Sequence, residues 1–221
     1  MRLPDFGGPV RSLIVEEELS DAAAEEAFSR IPPPGLGPSY TVVFGAARNP
    51  MEQGSSFSDS MPAPTNPRIY LRAVSPEDKG FLLKLYASTR QGEMDAWGWT
   101  AAQKEAFIRM QFGARERSYE ASYPGAERRI IFIGNDPAGG MIVFRDQTEI
   151  RLVDISLLPE HQGRGVGAKL VGELIAEAAN ASVPLRLSVL RGNPAAGLYK
   201  RLGFVTTGED EMYLQMERSP A

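Results

Sequence analysis

The chain has 221 residues with no cysteine, one histidine (His161), 17 prolines and a formal net charge of −4. That length suits one ordinary domain with an appendage, and the missing cysteine excludes disulfides, a thiol nucleophile, iron–sulfur clusters and cysteine-bound zinc. A lone histidine excludes His-rich metal centres, and the lack of a basic excess argues against a nucleic-acid partner.

Proline divides the chain in two. Residues 1–67 hold 10 of the 17 prolines with 4 basic and 9 acidic residues, whereas residues 68–221 carry 20 basic and 19 acidic ones. The first 20 residues are broken by two prolines and two glycines and offer no continuous apolar run, so no secretory signal is expected. The uncharged stretch before Arg48 contains four prolines and cannot be a membrane helix. A cytoplasmic protein with no membrane partner is the resulting expectation. Within the first part, residues 12–15 and 40–44 are β-prone, residues 20–30 form a candidate helix behind Ser20, and residues 54–67 have linker composition. This segment reads either as a subdomain docked on the rest or as a disordered arm, and a partner-docking or homodimerisation role is a further reading of it.

From Arg68 the signals sharpen. Residues 68–74 alternate as a strand does, and Ser75-Pro76-Glu77-Asp78 supplies a helix cap, a first-turn proline and first-turn acids. The helix it opens should run to about residue 88. A loop with Glu93, Met94, Asp95, Trp97 and Trp99 then leads to a second helix from Thr100 to about residue 119, carrying Phe107, Met110 and Phe112. Residues 129–133 and 141–145 read as strands turning at Asn135-Asp136-Pro137, and residues 150–158 as a central strand, apolar through its middle. A helix over about 165–180 has Val166, Leu170, Leu174, Ile175 and Ala178 on one stripe. A strand over 184–190, a short helix from Asn193-Pro194 to Gly203, and strands over 204–207 and 211–216 complete a mixed α/β sheet.

The most informative stretch joins the central strand to the helix after it: Ile155-Ser156-Leu157-Leu158-Pro159-Glu160-His161-Gln162-Gly163-Arg164-Gly165-Val166-Gly167. A strand stops at proline, and a glycine-rich turn opens an amphipathic helix whose free N–H groups face outward with the positive end of its dipole. Such a turn is either an anion site suited to diphosphate or merely a tight strand-to-helix connection. It lacks the Gly-Lys-Ser/Thr of a P-loop and lies too late in the chain for a nucleotide-first domain.

Gln162-x-x-Gly165-x-Gly167 and the downstream run Asn193-Pro194-Ala195-Ala196-Gly197-Leu198-Tyr199-Lys200-Arg201-Leu202-Gly203-Phe204 resemble two motifs of the GNAT (Gcn5-related) N-acetyltransferase superfamily. The likeness covers about residues 68–221. It implies an α/β (α+β) fold, a mixed central sheet splayed between two central strands and flanked by helices, with residues 1–67 as a Pro/Gly-rich extension. It also implies acetyl-CoA as co-substrate, no metal, and acetyl transfer to a primary amine on a small molecule or, alternatively, on a peptide or protein. A reading from another class is an acyl-CoA-binding sensor or assembly module without turnover.

By the same resemblance, backbone groups of Ile155 and Leu157, with Leu158 beside them, would pair with the pantetheine arm. Leu157 N–H would point at the thioester carbonyl. Amides of Gln162, Gly163, Arg164, Gly165, Val166, Gly167 and Ala168 would hold the pyrophosphate. Tyr199 would be the general acid that protonates the departing thiolate, its alternative being an aromatic core residue. Asn193 would cap the short helix and could touch the pantetheine. The base is open: some relatives carry a glutamate where Arg151 stands here, so Asp154 and Glu93 become the candidates, each also readable as a structural carboxylate. His161 reads as an exposed loop residue. The carboxylates and aromatics near residues 93–112 suit either a cationic amine with an apolar body or a plugged core.

Overall fold

The computed structural model describes residues 67–95 and 99–220, with side chains over 91–95 left aside. The readings made for residues 1–66 lie outside the described residues. Seven strands form one mixed sheet: β1 (Ile69–Ala73), β2 (Glu127–Ile133), β3 (Asp136–Arg145), β4 (Ile150–Leu157), β5 (Leu185–Leu190), β6 (Val205–Glu209) and β7 (Tyr213–Arg218), in the order β1-β2-β3-β4-β5-β7-β6. All neighbours are antiparallel except β4 and β5, the pair joined by a helical crossover.

The first helix, α1 (Lys79–Asp95), is reached through a 3-10 turn over Pro76–Asp78. Its start is fixed by charge: Asp78 accepts from the Ser75 amide at 2.7 Å and from both guanidinium nitrogens of Arg72 at 2.6 and 3.0 Å. Arg72 and the Ser75 amide together hold the Asp78 carboxyl down at about 2. The helix continues well past residue 88, so Glu93 and Asp95 belong to its last turn rather than to a loop. Ser88 and Thr89 do not end it, because their hydroxyls donate to the carbonyls of Leu85 and Tyr86 at 2.7 Å and leave the helix intact.

Helix α2 (Ala101–Ser122) opens with a capping box in which Thr100 and Gln103 satisfy each other's amides. Phe107, Ile108, Phe112 and Tyr119 form its buried face. Helix α3 (Val166–Ala181) buries Val166, Leu170, Leu174 and Ala178, one residue per turn. Helix α4 (Ala195–Arg201) is short, and the chain leaves it through Gly203 at φ +86°. No helix among the described residues is long and apolar enough to cross a membrane.

The β2–β3 hairpin turns at Gly134-Asn135, one residue earlier than Asn135-Asp136-Pro137 predicts. Gly134 supplies the left-handed residue at φ +63°. Pro137 falls inside β3 next to a register shift, where an extra residue relaxes the need for its missing N–H.

Two features of the sheet position the site. Strands β4 and β5 pair over only three residues, Ile150 to Leu152 against Leu185 to Leu187, although both continue. Beyond those pairs the sheet divides into a V. Its closed end is tied by an ion chain across three strands: Glu149 accepts from Arg151 and from Arg186 at 2.7 Å, and Arg186 reaches Glu217 at 2.7 Å. Burial works against the Glu149 charge, but the two guanidiniums win and hold its carboxyl below the ordinary range.

Candidate active site

The register between β3 and β4 slips at Val153: Ile142 faces Asp154 while Val143 faces Leu152. This bulge puts two consecutive residues on one face. Leu152 and Ile155 belong to the main core, whereas Val153 packs with Tyr119 and Ile142, and Asp154 reaches Arg115 on α2. Without the extra residue Asp154 would face the main apolar core.

The bulge also resets the backbone. Leu158 N–H donates to Ala138 O at 2.9 Å, and the Ser156 carbonyl lies where a Cβ on Gly139 would meet it at 2.2 Å. Residues 156 and 158 therefore spend their backbone groups on β3, and antiparallel alternation turns those of Ile155 and Leu157 toward the mouth of the V, where β5 has left. Their side chains are fully buried in the core. The Leu157 carbonyl is engaged by the side-chain amide of Gln162 at 2.7 Å, which ties the strand end to the turn that follows.

That turn contains Gly163 at φ +71° and Gly165 at φ +79°, with open space around both. Helix α3 begins at Gly165 without a side-chain cap, and its first backbone bond is Lys169 N–H to Gly165 O. Among the described residues the amides of residues 163–168 meet no acceptor. The Gln162 amide is already donated to Pro159 O at 3.3 Å, so the open run starts one residue later than the sequence predicts. Likewise the Leu158 amide is taken by the sheet. Six amides without a partner at a helix start are a donor set suited to a diphosphate. His161 is half-buried rather than exposed, and its Nδ1 is buried without a partner.

Tyr199, on α4, is fully buried against Phe204, with ring centroids 5.6 Å apart, and its hydroxyl has no partner. Burial first, and then the Asp154 charge, push its phenol well above its ordinary value. Asn193 caps α4 by accepting from the Ala195 amide at 2.9 Å. Asp154 is almost completely buried; that burial raises its carboxyl to about 6, opposed mainly by Arg115. Ser188, the first β5 residue beyond the paired stretch, is buried with an unpartnered hydroxyl.

Four groups that sequence reasoning placed apart or passed over thus share one property. Arg115 Nε, Asp154 Oδ1, Ser188 Oγ and Tyr199 OH are all buried and unsatisfied. Native folds rarely leave such atoms unmet, and each calls for a partner, whether ordered water, a ligand or a reacting group. Arg115 carried no signal in the sequence beyond a charged residue in a helix, and Ser188 none beyond an alternating strand. The Glu93 side chain and the whole of Trp97 lie outside the described residues. Phe107 is buried against Trp99, Phe112 is buried, and Met110 is exposed. No group of three or more metal-ligating side chains occurs among the described residues.

Residues 126–206 match the family model described as an acetyltransferase (GNAT) domain. An N-acetyltransferase from Thermoplasma acidophilum, solved with coenzyme A, superposes with a TM-score of 0.52 at 19% identity, over 69% of this chain and 99% of its own. A spermidine N-acetyltransferase from Vibrio cholerae gives 0.49 at 18% identity, over 69% of this chain and 95% of its own. No curated protein matches.

Proposed function

From the match of residues 126–206 to a GNAT acetyltransferase domain, we propose that the chain is an acetyl-CoA-dependent N-acetyltransferase acting on the primary amine of a small molecule. The observation that carries this reading is the continuity of the V. The backbone groups of Ile155 and the N–H of Leu157 line its inner edge, with the Leu157 carbonyl held by Gln162, and the edge leads directly into the open amides of residues 163–168. An extended pantetheine arm could bond to the first set as a substitute strand, and its diphosphate to the second. Acetyl-CoA supplies the activated acyl group, and the chain supplies the rest.

Asp154 on β4 and Tyr199 on α4 are both buried and each keeps an oxygen without a partner, which supports roles for them as base and acid. The amine nitrogen forms a bond to the acyl carbon, its surplus proton passes to Asp154, and the C–S bond breaks with its electron pair on sulfur. The Tyr199 hydroxyl, held neutral by burial and owing no other hydrogen bond, donates to that sulfur. The Leu157 N–H facing the V is the donor available to the carbonyl oxygen as it gains charge.

Thermal unfolding with acetyl-CoA, followed by thiol release across a panel of amines and peptides, tests the reading. Ligand at 100 times its dissociation constant adds about 2.7 kcal/mol. No stabilisation would remove the co-substrate. Stabilisation without thiol release across the panel would instead indicate a CoA-binding module, and release only with peptides would replace the small-molecule acceptor.

A further inference from the structure

Arg115 lies in the middle of α2, with its guanidinium boxed by three rings. Its central carbon stands 4.5 Å from the Tyr86 ring centroid, 5.4 Å from Tyr119 and 5.5 Å from Phe112. Helices α1 and α2 together hold the fork in place through these rings. Nη1 is 3.6 Å from Asp154 Oδ2, outside hydrogen-bonding distance, and the other ionic neighbour, Glu116, is 3.8 Å from Nη2 and is itself held by Arg128. Arg115 Nε and Asp154 Oδ1 both remain buried and unmet.

A buried ion pair that serves only the fold requires close geometry with its remaining donors and acceptors satisfied, since otherwise desolvation outweighs attraction. The Arg115–Asp154 pair is long, and each partner keeps an unused polar atom. The pair is therefore incomplete by itself and complementary to a third body that carries both charges. The charge balance agrees. A simple cationic amine approaching Asp154 would also meet the fixed positive charge of Arg115, which disfavours it. An anionic group on the same molecule turns that repulsion into a contact, and a planar guanidinium fork suits a carboxylate.

Resting on the acetyltransferase reading above, we propose that the acceptor is a zwitterion, an α-amino acid or close aminocarboxylate, whose carboxylate is bound by Arg115 while Asp154 takes its ammonium group. Arg115 is then the residue that selects the acceptor; the ammonium releases one proton to water to attack as the free amine, and Asp154 takes the second as the amide forms.

The experiment measures thiol release from acetyl-CoA with L-phenylalanine, L-leucine and L-methionine, each against the amine left by removing its carboxylate. The best amino acid is expected to exceed its matched amine by at least about tenfold in kcat/KM, the order that one charge-assisted contact contributes. In Arg115→Met this ratio falls toward one, mainly through KM for the amino acid. Arg115→Lys, which keeps the charge but loses the fork, lies between. Melting with acetyl-CoA reports whether each variant is folded, and a merely structural arginine would not move the ratio. A wild-type ratio at or below one, or a ratio that both variants preserve, overturns the proposal. Thiol release from neither class, with acetyl-CoA stabilisation intact, overturns the zwitterion and leaves the co-substrate reading standing. Loss of acetyl-CoA stabilisation in the wild type overturns the reading beneath it.

Discussion

The Tyr199 hydroxyl is an unsatisfied group in a packed interior, which makes it dispensable to folding and exposes its role to a simple substitution. Tyr199→Phe removes one oxygen that bonds to nothing, so its stability to denaturant should stay within about 1 kcal/mol of wild type. Its kcat is expected to fall about 100-fold or more, with acetyl-CoA stabilisation retained. Asp154 gives a pH signature. With its carboxyl raised to about 6, it is protonated below that pH and cannot accept a proton from the amine. The kcat/KM should climb about tenfold per pH unit on the acid side and level off above about 6, and Asp154→Asn should erase that limb along with most of the rate. Both residues were legible as candidates, Tyr199 from its motif and Asp154 from its place on the central strand. Arg115 was not, because it approaches Asp154 across 39 positions of sequence, from a helix on which charged residues such as Glu105, Arg109, Arg117 and Glu120 are exposed.

At the scale of elements, the glycine-rich turn announced itself because glycine at positive φ leaves a trace in sequence. The strand bulge did not, because an extra residue in a ladder is a property of two strands and neither shows it alone. That slip decides which face Asp154 takes, so the site could be listed from sequence but not assembled. The length of α1 was missed for a related reason: Ser88 and Thr89 look like stop signals, yet their hydroxyls fold back onto the preceding turn. The close approach of β3 to β4 is itself testable. A methyl at Gly139 would meet Ser156 O at 2.2 Å and Leu157 Cδ2 at 2.8 Å. Gly139→Ala should therefore cost about 1–3 kcal/mol in chemical denaturation. It should also weaken acetyl-CoA stabilisation, because the displaced segment is the strand edge that lines the V.

Across the whole molecule, the division of the sheet depends on one end being held while the other stays apart. Three strands are tied at the closed end through Glu149. Glu149→Ala leaves Arg151 and Arg186 without their shared acceptor and should lower stability by about 2 kcal/mol, measured by denaturant midpoint. The fold class and the splayed sheet were both expected from two short motifs, since each motif sits where a strand meets a helix beside the V. The order of strands was not, because β7 pairs with β5 ahead of β6 and no local signal reports that. The V has a further consequence for handling the protein. Its inner edge is a row of strand N–H and C=O groups with no strand beside it, and such an edge is a template for a strand from another copy. The empty protein should therefore self-associate on warming before it unfolds globally, seen as light scattering that precedes the loss of circular dichroism. Coenzyme A, lacking any acetyl group to transfer, should suppress that scattering, acting as a cover for a raw edge rather than as a reactant.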